Sequence, residues 1–192
     1  MAAMDQNQTV EMPAPRGATD DKTGVVVGSG PVDVEAYIDF QCPYCKQFEL
    51  ASRNTIDKLL ERQMIRFIRH PMNFLDAVST NHYSTRAAAA AASASDTGRF
   101  HEYAYALFEN QPPEGGLGLT DDQLISLGQH TGVTDSTFVT DIRTGRYLPW
   151  PAFVTARATA RGVGGTPSVF VHGVPVPARA DLIVAAVGRV IG

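Results

Sequence analysis

Alternation of apolar and polar residues in the first third of the chain predicts β-strands on either side of one helix. A β-branched run bounded by glycines predicts a strand at 24–28, and residues 32–38 alternate with the period of two that a strand requires. Apolar residues at helical spacing predict a helix over 46–62, and 64–69 is a further strand pattern that a His-Pro pair ends. A helix between two strands indicates a parallel pair with a right-handed crossover.

From about residue 81 to 161 the pattern is almost entirely helical. Alanine, the best helix former, dominates 85–95, and apolar residues recur at helical intervals in 100–109. A threonine with a glutamine three residues on predicts a helix start at Thr120. The last helix of this block is expected over 153–161.

Strand signals return near the carboxyl end of the chain. Residues 168–172 read as a strand, Gly173 predicts a hairpin turn, and the prolines that follow indicate that the second arm, 174–176, is an edge strand. Residues 181–190 predict a short closing helix. With 192 residues and 44% apolar composition, the chain is expected to form one α/β domain that carries an all-helical insertion.

Composition excludes two classes of partner. The formal net charge of −4 and the absence of a Lys/Arg cluster interleaved with aromatic residues argue against nucleic-acid binding. The longest apolar run, residues 87–92, is far shorter than the ~20 residues that a bilayer span requires.

The amino-terminal segment 1–22 is polar and rich in Pro, Ala, Asp and Gln, and it lacks the positive start and apolar centre of a secretory signal. We expect this segment to be a disordered linker. Two interpretations of the location follow: the protein is cytoplasmic, or it is exported by a signal that this sequence does not include.

The motif that carries chemistry is Cys42-Pro43-Tyr44-Cys45, which contains the only two cysteines of the chain. It lies between a strand and a helix, where two thiols separated by two residues can form a disulfide and open it again. A metal site is the weaker reading, because structural zinc needs four ligands and no second cysteine pair exists. The five histidines are scattered through the sequence. A purely structural disulfide would constrain the unfolded chain little, since the loop it closes is so small.

Position along the predicted helix assigns different roles to the two thiols. Unpaired N–H groups and the positive end of the helix dipole favour the thiolate of Cys42, which we expect to be the attacking and more exposed sulfur. Cys45, one turn further on, is then the resolving partner. Pro43 suits the first helical turn because it has no N–H to leave unpaired, and Tyr44 is placed to tune the pair.

Three stretches in this order resemble the DsbA-like disulfide oxidoreductases, and more narrowly their actinobacterial and Gram-positive members: 39–46, 69–72 and 162–171. The resemblance runs from about Gly24 to Gly192. It implies a thioredoxin-like fold, in which a central mixed β-sheet is flanked by helices. It also implies an extracytoplasmic location. The thioredoxin core would consist of two segments, with a helical subdomain inserted between them; the bounds expected are 23–80 and 162–192 for the core and 81–161 for the insertion.

The resemblance also assigns a second part of the site and exposes one departure. Thr166 and Pro167 match the family's cis-proline loop, which faces the active-site disulfide and binds an extended substrate peptide. Many relatives carry an acid six residues before the first cysteine, where this chain has Ala36. Glu35 is one residue out of phase and should point to the opposite face of the strand. Proton transfer to Cys45 would then need water, Asp39 or another group.

The function expected from these features is thiol-disulfide exchange with reduced or misoxidised protein substrates, sustained by a redox partner that recycles the pair. The Cys42-Cys45 disulfide would itself be the redox group, so no cofactor and no metal are expected. Two alternatives stay open: a disulfide reductase or isomerase of the same fold, and a non-enzymatic chaperone that binds clients.

Overall fold

The computed structural model describes residues 12–192 and contains one mixed sheet of five strands in the order β1-β3-β2-β4-β5. β2 and β3 are parallel, and the other neighbouring pairs are antiparallel. The predicted parallel pair with a helix between its strands, and the predicted carboxyl-terminal hairpin, are therefore confirmed. The strands are β1 (Val25–Val27), β2 (Val32–Ile38), β3 (Ile65–Pro71), β4 (Ser168–Val171) and β5 (Val174–Val176).

Seven α-helices and one 3-10 helix surround this sheet within the described residues. The thioredoxin-like fold with a mixed sheet flanked by helices, expected from the sequence, is confirmed. The helices are α1 (Pro43–Glu61), the 3-10 helix Phe74–Ala77, α2 (Tyr83–Asp96), α3 (Phe100–Glu109), α4 (Asp121–His130), α5 (Ser136–Thr144), α6 (Pro149–Ala160) and α7 (Ala180–Ile191).

The central strand β2 positions the chemistry that follows it. Val34 lies between Phe67 of β3 and Val171 of β4, and the alternate side chains of β2 that the sequence pattern selected are buried. The neighbouring strand β3 runs through Pro71, two residues beyond the expected end. Proline is tolerated there because it is the last residue of the strand and loses only its own N–H.

The alanine-rich helix α2 is the centre of the helical block. It contacts α3, α4, α5 and α6, and its alanines are almost completely buried. Small side chains let several helices approach one axis closely, so the alanines serve packing. Helix α6 begins at Pro149, four residues before its expected start, because Pro149 and Pro151 fall in the first turn, where a missing N–H leaves no internal bond unmade.

The amino-terminal segment differs from the disordered linker expected over 1–22. Residues 1–11 lie outside the described residues, but residues from 16 onward contact the domain. The Arg16 amide donates to Asp96 at 2.7 Å, and the indole N–H of buried Trp150 donates to the carbonyl of Lys22 at 2.7 Å. Ala18 forms a β-bridge with Val25. Polar residues here bind at the surface of the helical block, a contact that composition does not reveal.

A buried ion pair joins the sheet to α1. The guanidinium of Arg69, fully buried on β3, donates two hydrogen bonds of 2.9 Å to the carboxylate of Glu49 on α1. It lies between the rings of Phe67 and Tyr105, at 4.4 and 4.8 Å from their centroids, and contacts His101 at 2.9 Å. This pair fixes the helix that carries the cysteines against the strand next to β2.

We predict that Glu49→Gln destabilises the protein by about 3–5 kcal/mol, because it leaves the Arg69 charge buried without a counter-charge. Glu109→Gln is the matched control. Glu109 pairs with Arg53 at 2.6 Å on the surface, where an ion pair contributes about 0–1 kcal/mol. Urea unfolding of both variants measures the difference, and equal losses would contradict a structural role for the buried pair.

Candidate active site

The turn between β2 and α1 places Cys42 at the amino end of the helix. Cys42 is the N-cap residue with extended backbone angles, and its carbonyl accepts the first helical bond, from Lys46, at 3.1 Å. Its own amide donates to the carbonyl of Asp39 at 3.0 Å. Pro43 occupies the first helical turn, as the sequence predicts. The sulfur of Cys42 therefore faces the unpaired amides of α1.

Both cysteines are free thiols in this structure, and they differ in exposure in the predicted sense. The relative exposure of Cys42 is 5% and that of Cys45 is 0%. A substrate sulfur can therefore approach only Cys42, and its access is narrow.

The surroundings of the two thiols shift their pKa values in opposite directions. A hydrogen bond from the Cys45 thiol lowers the pKa of Cys42 to about 6; burial opposes this, and further hydrogen bonds from Thr166 and from the amides of Cys45 and Tyr44 assist it. The pKa of Cys45 is raised far above its ordinary value by burial, and then by its hydrogen bond to Cys42 and the charge of that sulfur. One thiolate and one neutral thiol are the stable combination near neutral pH.

The loop expected to face the cysteines lies beside them. The Thr166–Pro167 peptide bond is cis, and the Cys42 thiol donates to the carbonyl of Thr166 at 3.4 Å. The two residues are 124 positions apart in the sequence. The fold therefore brings the cysteine motif and the Thr166–Pro167 loop together.

A groove of about 600 Å³ lies next to this contact, between α1 and the segment that leads into α7. Tyr44, 72% exposed, stands on its wall. The side chain of Tyr44 thus belongs to the groove, while its main-chain N–H acts on Cys42. The lining residues are Tyr44, Gln47, Phe48, Ala51, Ser52, Thr166, Pro167, Ala178, Arg179, Ala180 and Asp181.

The structure confirms that strand β2 has no acid at position 36, where many relatives carry one. Ala36 is completely buried and offers only a methyl group. Glu35 points to the other face, where Arg161 donates two hydrogen bonds to it at 2.7 and 3.0 Å and His70 lies at 3.5 Å. Burial would raise the pKa of Glu35, but hydrogen bonds from His70 and Arg161 lower it to about 2. Glu35 is therefore an anchor for Arg161, the residue just ahead of the cis-proline loop.

Asp39 is the acid that the fold places beside the cysteines. It is completely buried, its main-chain N–H lies 3.5 Å from the sulfur of Cys45, and burial raises the pKa of its carboxyl to about 6. The carboxylate accepts from the hydroxyl of Ser84 at 2.6 Å.

Two polar residues that hold the cysteine turn have no signal in the sequence. Ser84 of α2 bonds to Asp39, and the side-chain amide of Gln111 donates to the carbonyls of Phe40 and Cys42, both at 2.9 Å. They lie 45 and 69 residues from their nearest partners, in a helix and a loop of the inserted block. No local motif marks them. Within residues 12–192, no cluster of three or more metal-binding side chains accompanies the cysteines.

Comparisons with known protein families and solved structures identify the family of this chain. A family model described as thioredoxin matches residues 20–186. The structure of oxidised DsbA from Mycobacterium tuberculosis is 30% identical, covers 88% of this chain and 93% of its own, and has a TM-score of 0.76. The chain is a DsbA-like member of the thioredoxin family.

Other solved structures agree with this assignment. Reduced DsbG from M. tuberculosis is 28% identical with a TM-score of 0.76, over 92% of this chain and 86% of its own. MdbA from Actinomyces oris, at 19% identity, TM-score 0.74 and 91% coverage of both chains, shares the fold. The search of curated proteins gave no significant match. This DsbA-like protein is a thiol-disulfide oxidoreductase whose paired cysteines match the redox motif.

We predict that the ultraviolet absorbance of thiolate in the reduced protein titrates with a midpoint near pH 6, the pKa of Cys42. Cys42→Ser should remove this transition. Cys45→Ala should move it upward, because the hydrogen bond that stabilises the thiolate is lost. A midpoint that Cys45→Ala leaves unchanged would contradict the assigned cause.

Proposed function

We propose that this DsbA-like protein acts outside the cytoplasm, where it donates disulfide bonds to reduced protein substrates and exchanges disulfides with misoxidised ones. The single observation that carries the proposal is the position of Cys42, at the amino end of α1, 3.4 Å from the carbonyl of Thr166 and next to a completely buried Cys45. These surroundings lower the pKa of Cys42 and keep Cys45 neutral. A stabilised thiolate favours the reduced enzyme, so its disulfide gives up oxidising equivalents more readily than an ordinary one.

The exchange begins when a substrate thiolate attacks the sulfur of Cys42 and Cys45 leaves. A second substrate thiolate then attacks the mixed disulfide at the substrate sulfur, which releases the oxidised substrate and the Cys42 thiolate. The groove beside Tyr44 and the main chain of Thr166 would hold the substrate as an extended peptide during both steps. A separate redox partner would reoxidise the pair, and the Cys42-Cys45 disulfide would serve in place of any added cofactor.

The location follows from the same chemistry. Oxidation of protein thiols is sustained in compartments that do not keep cysteines reduced, so a disulfide donor belongs outside the cytoplasm. Within residues 12–192, no helix combines the length and apolar character needed to cross a bilayer. We therefore propose that the folded domain acts on the outer side of the membrane.

The expected reduction potential lies between those of thioredoxin and a strongly oxidising DsbA. Their nucleophilic cysteines have pKa values of about 7 and 3.5, and their potentials are about −270 and −120 mV. Cys42, with a pKa of about 6, falls between them. Equilibration with glutathione buffers measures the value. A potential at or below the thioredoxin end would assign the reductase role instead.

Cys45→Ala supplies a test of the substrates. In this variant the Cys42 thiolate can still attack a disulfide of a client protein, but no enzyme thiol can then resolve the mixed disulfide. Non-reducing gels of extracytoplasmic extracts should therefore show adducts that dithiothreitol removes. The single variant Cys42→Ser, which keeps Cys45, is the control and should form none. Equal adduct formation by the two single variants would overturn the assignment of Cys42 as the attacking sulfur.

A further inference from the structure

The turn that leads into α1 is bound by one side chain of the helical insertion. The side-chain nitrogen of Gln111 donates to the carbonyl of Phe40 and to the carbonyl of Cys42, each at 2.9 Å. A primary amide has two N–H donors, so both are used. The carbonyl of Cys42 also accepts the first bond of α1, from the amide of Lys46. Gln111 therefore fixes the peptide groups on both sides of the short segment that ends in the attacking cysteine.

Gln111 is itself held in place by its neighbours. Helix α3 ends at Glu109, and the amide of Gln111 donates to the carbonyl of Phe108 at 3.3 Å. The next residue is Pro112, which restricts the backbone of the residue before it to extended conformations. The buried rings of Phe108 and Phe40 pack with their centroids 5.0 Å apart. The end of α3 thus contacts Phe40 through a ring as well as through the Gln111 amide.

The direction of the main chain at Cys42 decides where its sulfur lies. Cys42 is the N-cap of α1 with extended backbone angles, and its thiol lies 3.4 Å from the carbonyl of Thr166. The groups that stabilise its thiolate are the Cys45 thiol and the amides of Cys45 and Tyr44. Hydrogen bonds to sulfur weaken steeply with distance and angle, so a turn that relaxes away from α3 would weaken all of these contacts together.

We propose that Gln111 is a positioning residue for the exchange reaction: it holds the cysteine turn so that the Cys42 sulfur stays against the groups that stabilise its thiolate. The proposal rests on the proposed function, in which Cys42 is the attacking sulfur. It gives the helical insertion a part in setting the redox potential of the pair, through one side chain that touches neither sulfur.

A positioning role differs from general stabilisation in which redox form it affects. The Gln111 hydrogen bonds go to main-chain carbonyls, so a purely structural contribution would stabilise the reduced and the oxidised protein alike. The thiolate exists only in the reduced protein. A loss of position therefore changes the ionisation of Cys42 and the balance between the two redox forms, and these two changes are thermodynamically linked.

Gln111→Met keeps the length of the side chain and removes both donors. The thiolate absorbance of the reduced variant should titrate about half to one pH unit above the wild-type midpoint near pH 6, since a lost hydrogen bond of ordinary strength corresponds to a shift of this size. Gln111→Ala should shift the midpoint in the same direction. It also supplies a second variant in case the thioether packs poorly.

Equilibration with reduced and oxidised glutathione measures the linked change. At pH 7.5, where the reduced protein is mostly thiolate, the equilibrium of Gln111→Met should move roughly three- to eightfold toward the enzyme disulfide, as a midpoint shift of that size requires. At pH 5 both proteins hold Cys42 mainly as the thiol. The difference between them should then nearly disappear.

Asn110→Ala is the matched control. Asn110 is the neighbouring residue, and its side-chain amide also donates to a main-chain carbonyl at 2.9 Å, but that carbonyl belongs to Ala106 of α3. Its loss should leave the thiolate midpoint and the glutathione equilibrium at their wild-type values.

Three results would overturn the positioning role. They are a wild-type midpoint in both Gln111 variants, an equal loss of stability in the reduced and oxidised forms with the glutathione equilibrium unchanged, and a shift in Asn110→Ala as large as that in Gln111→Met. A wild-type protein that exchanges no disulfide with glutathione would overturn the proposed function itself. That result is separate, because it is seen before any variant is made.

Discussion

The pairing of a thiolate-forming Cys42 with a completely buried, protonated Cys45 at the amino end of α1 is the constraint on which the rest of the site depends. A thiol can stabilise a neighbouring thiolate only while it keeps its own proton, and burial of Cys45 ensures that it does. Burial of Cys45 therefore makes Cys42 reactive and leaves Cys45 itself unreactive. Each half of the exchange cycle needs the opposite protonation state of Cys45.

The scaffold holds this pair from both sides. On one side, the Arg69–Glu49 ion pair fastens α1 to β3, next to the strand that leads into the cysteine turn. On the other, Arg161 binds Glu35 and stands immediately before the loop that brings Thr166 to the Cys42 sulfur. Both anchors are charged groups bound across elements far apart in sequence, so the position of the site is set by tertiary contacts.

Much of the fold could be read from the sequence because its signals are local. The alternation in β2, the alanines of α2 and the cap at Thr120 each specify their own element without reference to the rest of the chain. The redox motif could also be predicted from the sequence, because its two cysteines and the start of α1 are contiguous. The Thr166–Pro167 loop could be assigned only through family resemblance, because its partner Cys42 lies 124 residues away.

What the sequence did not reveal depends on burial and long-range contact. Nothing local indicates that Ser84 and Gln111 reach the cysteine turn, or that polar residues near Arg16 bind the helical block. Nor does the sequence indicate that the carboxylate of Asp39 is enclosed by Gln41, Leu75 and Ser84.

The central claim, a stabilised thiolate in the reduced protein, is tested most directly by comparing the unfolding free energies of the reduced and oxidised forms as pH varies. Cys42 ionises near pH 6 when folded and near its ordinary pKa of 9.0 when unfolded. The contribution of Cys42 to the stability of the reduced form should therefore be complete above pH 9 and lost as pH falls through 6. Between these values its stability should rise relative to the oxidised form, with a slope approaching about 1.4 kcal/mol per pH unit for one proton. A difference between the two forms that stays constant across that range would contradict the account.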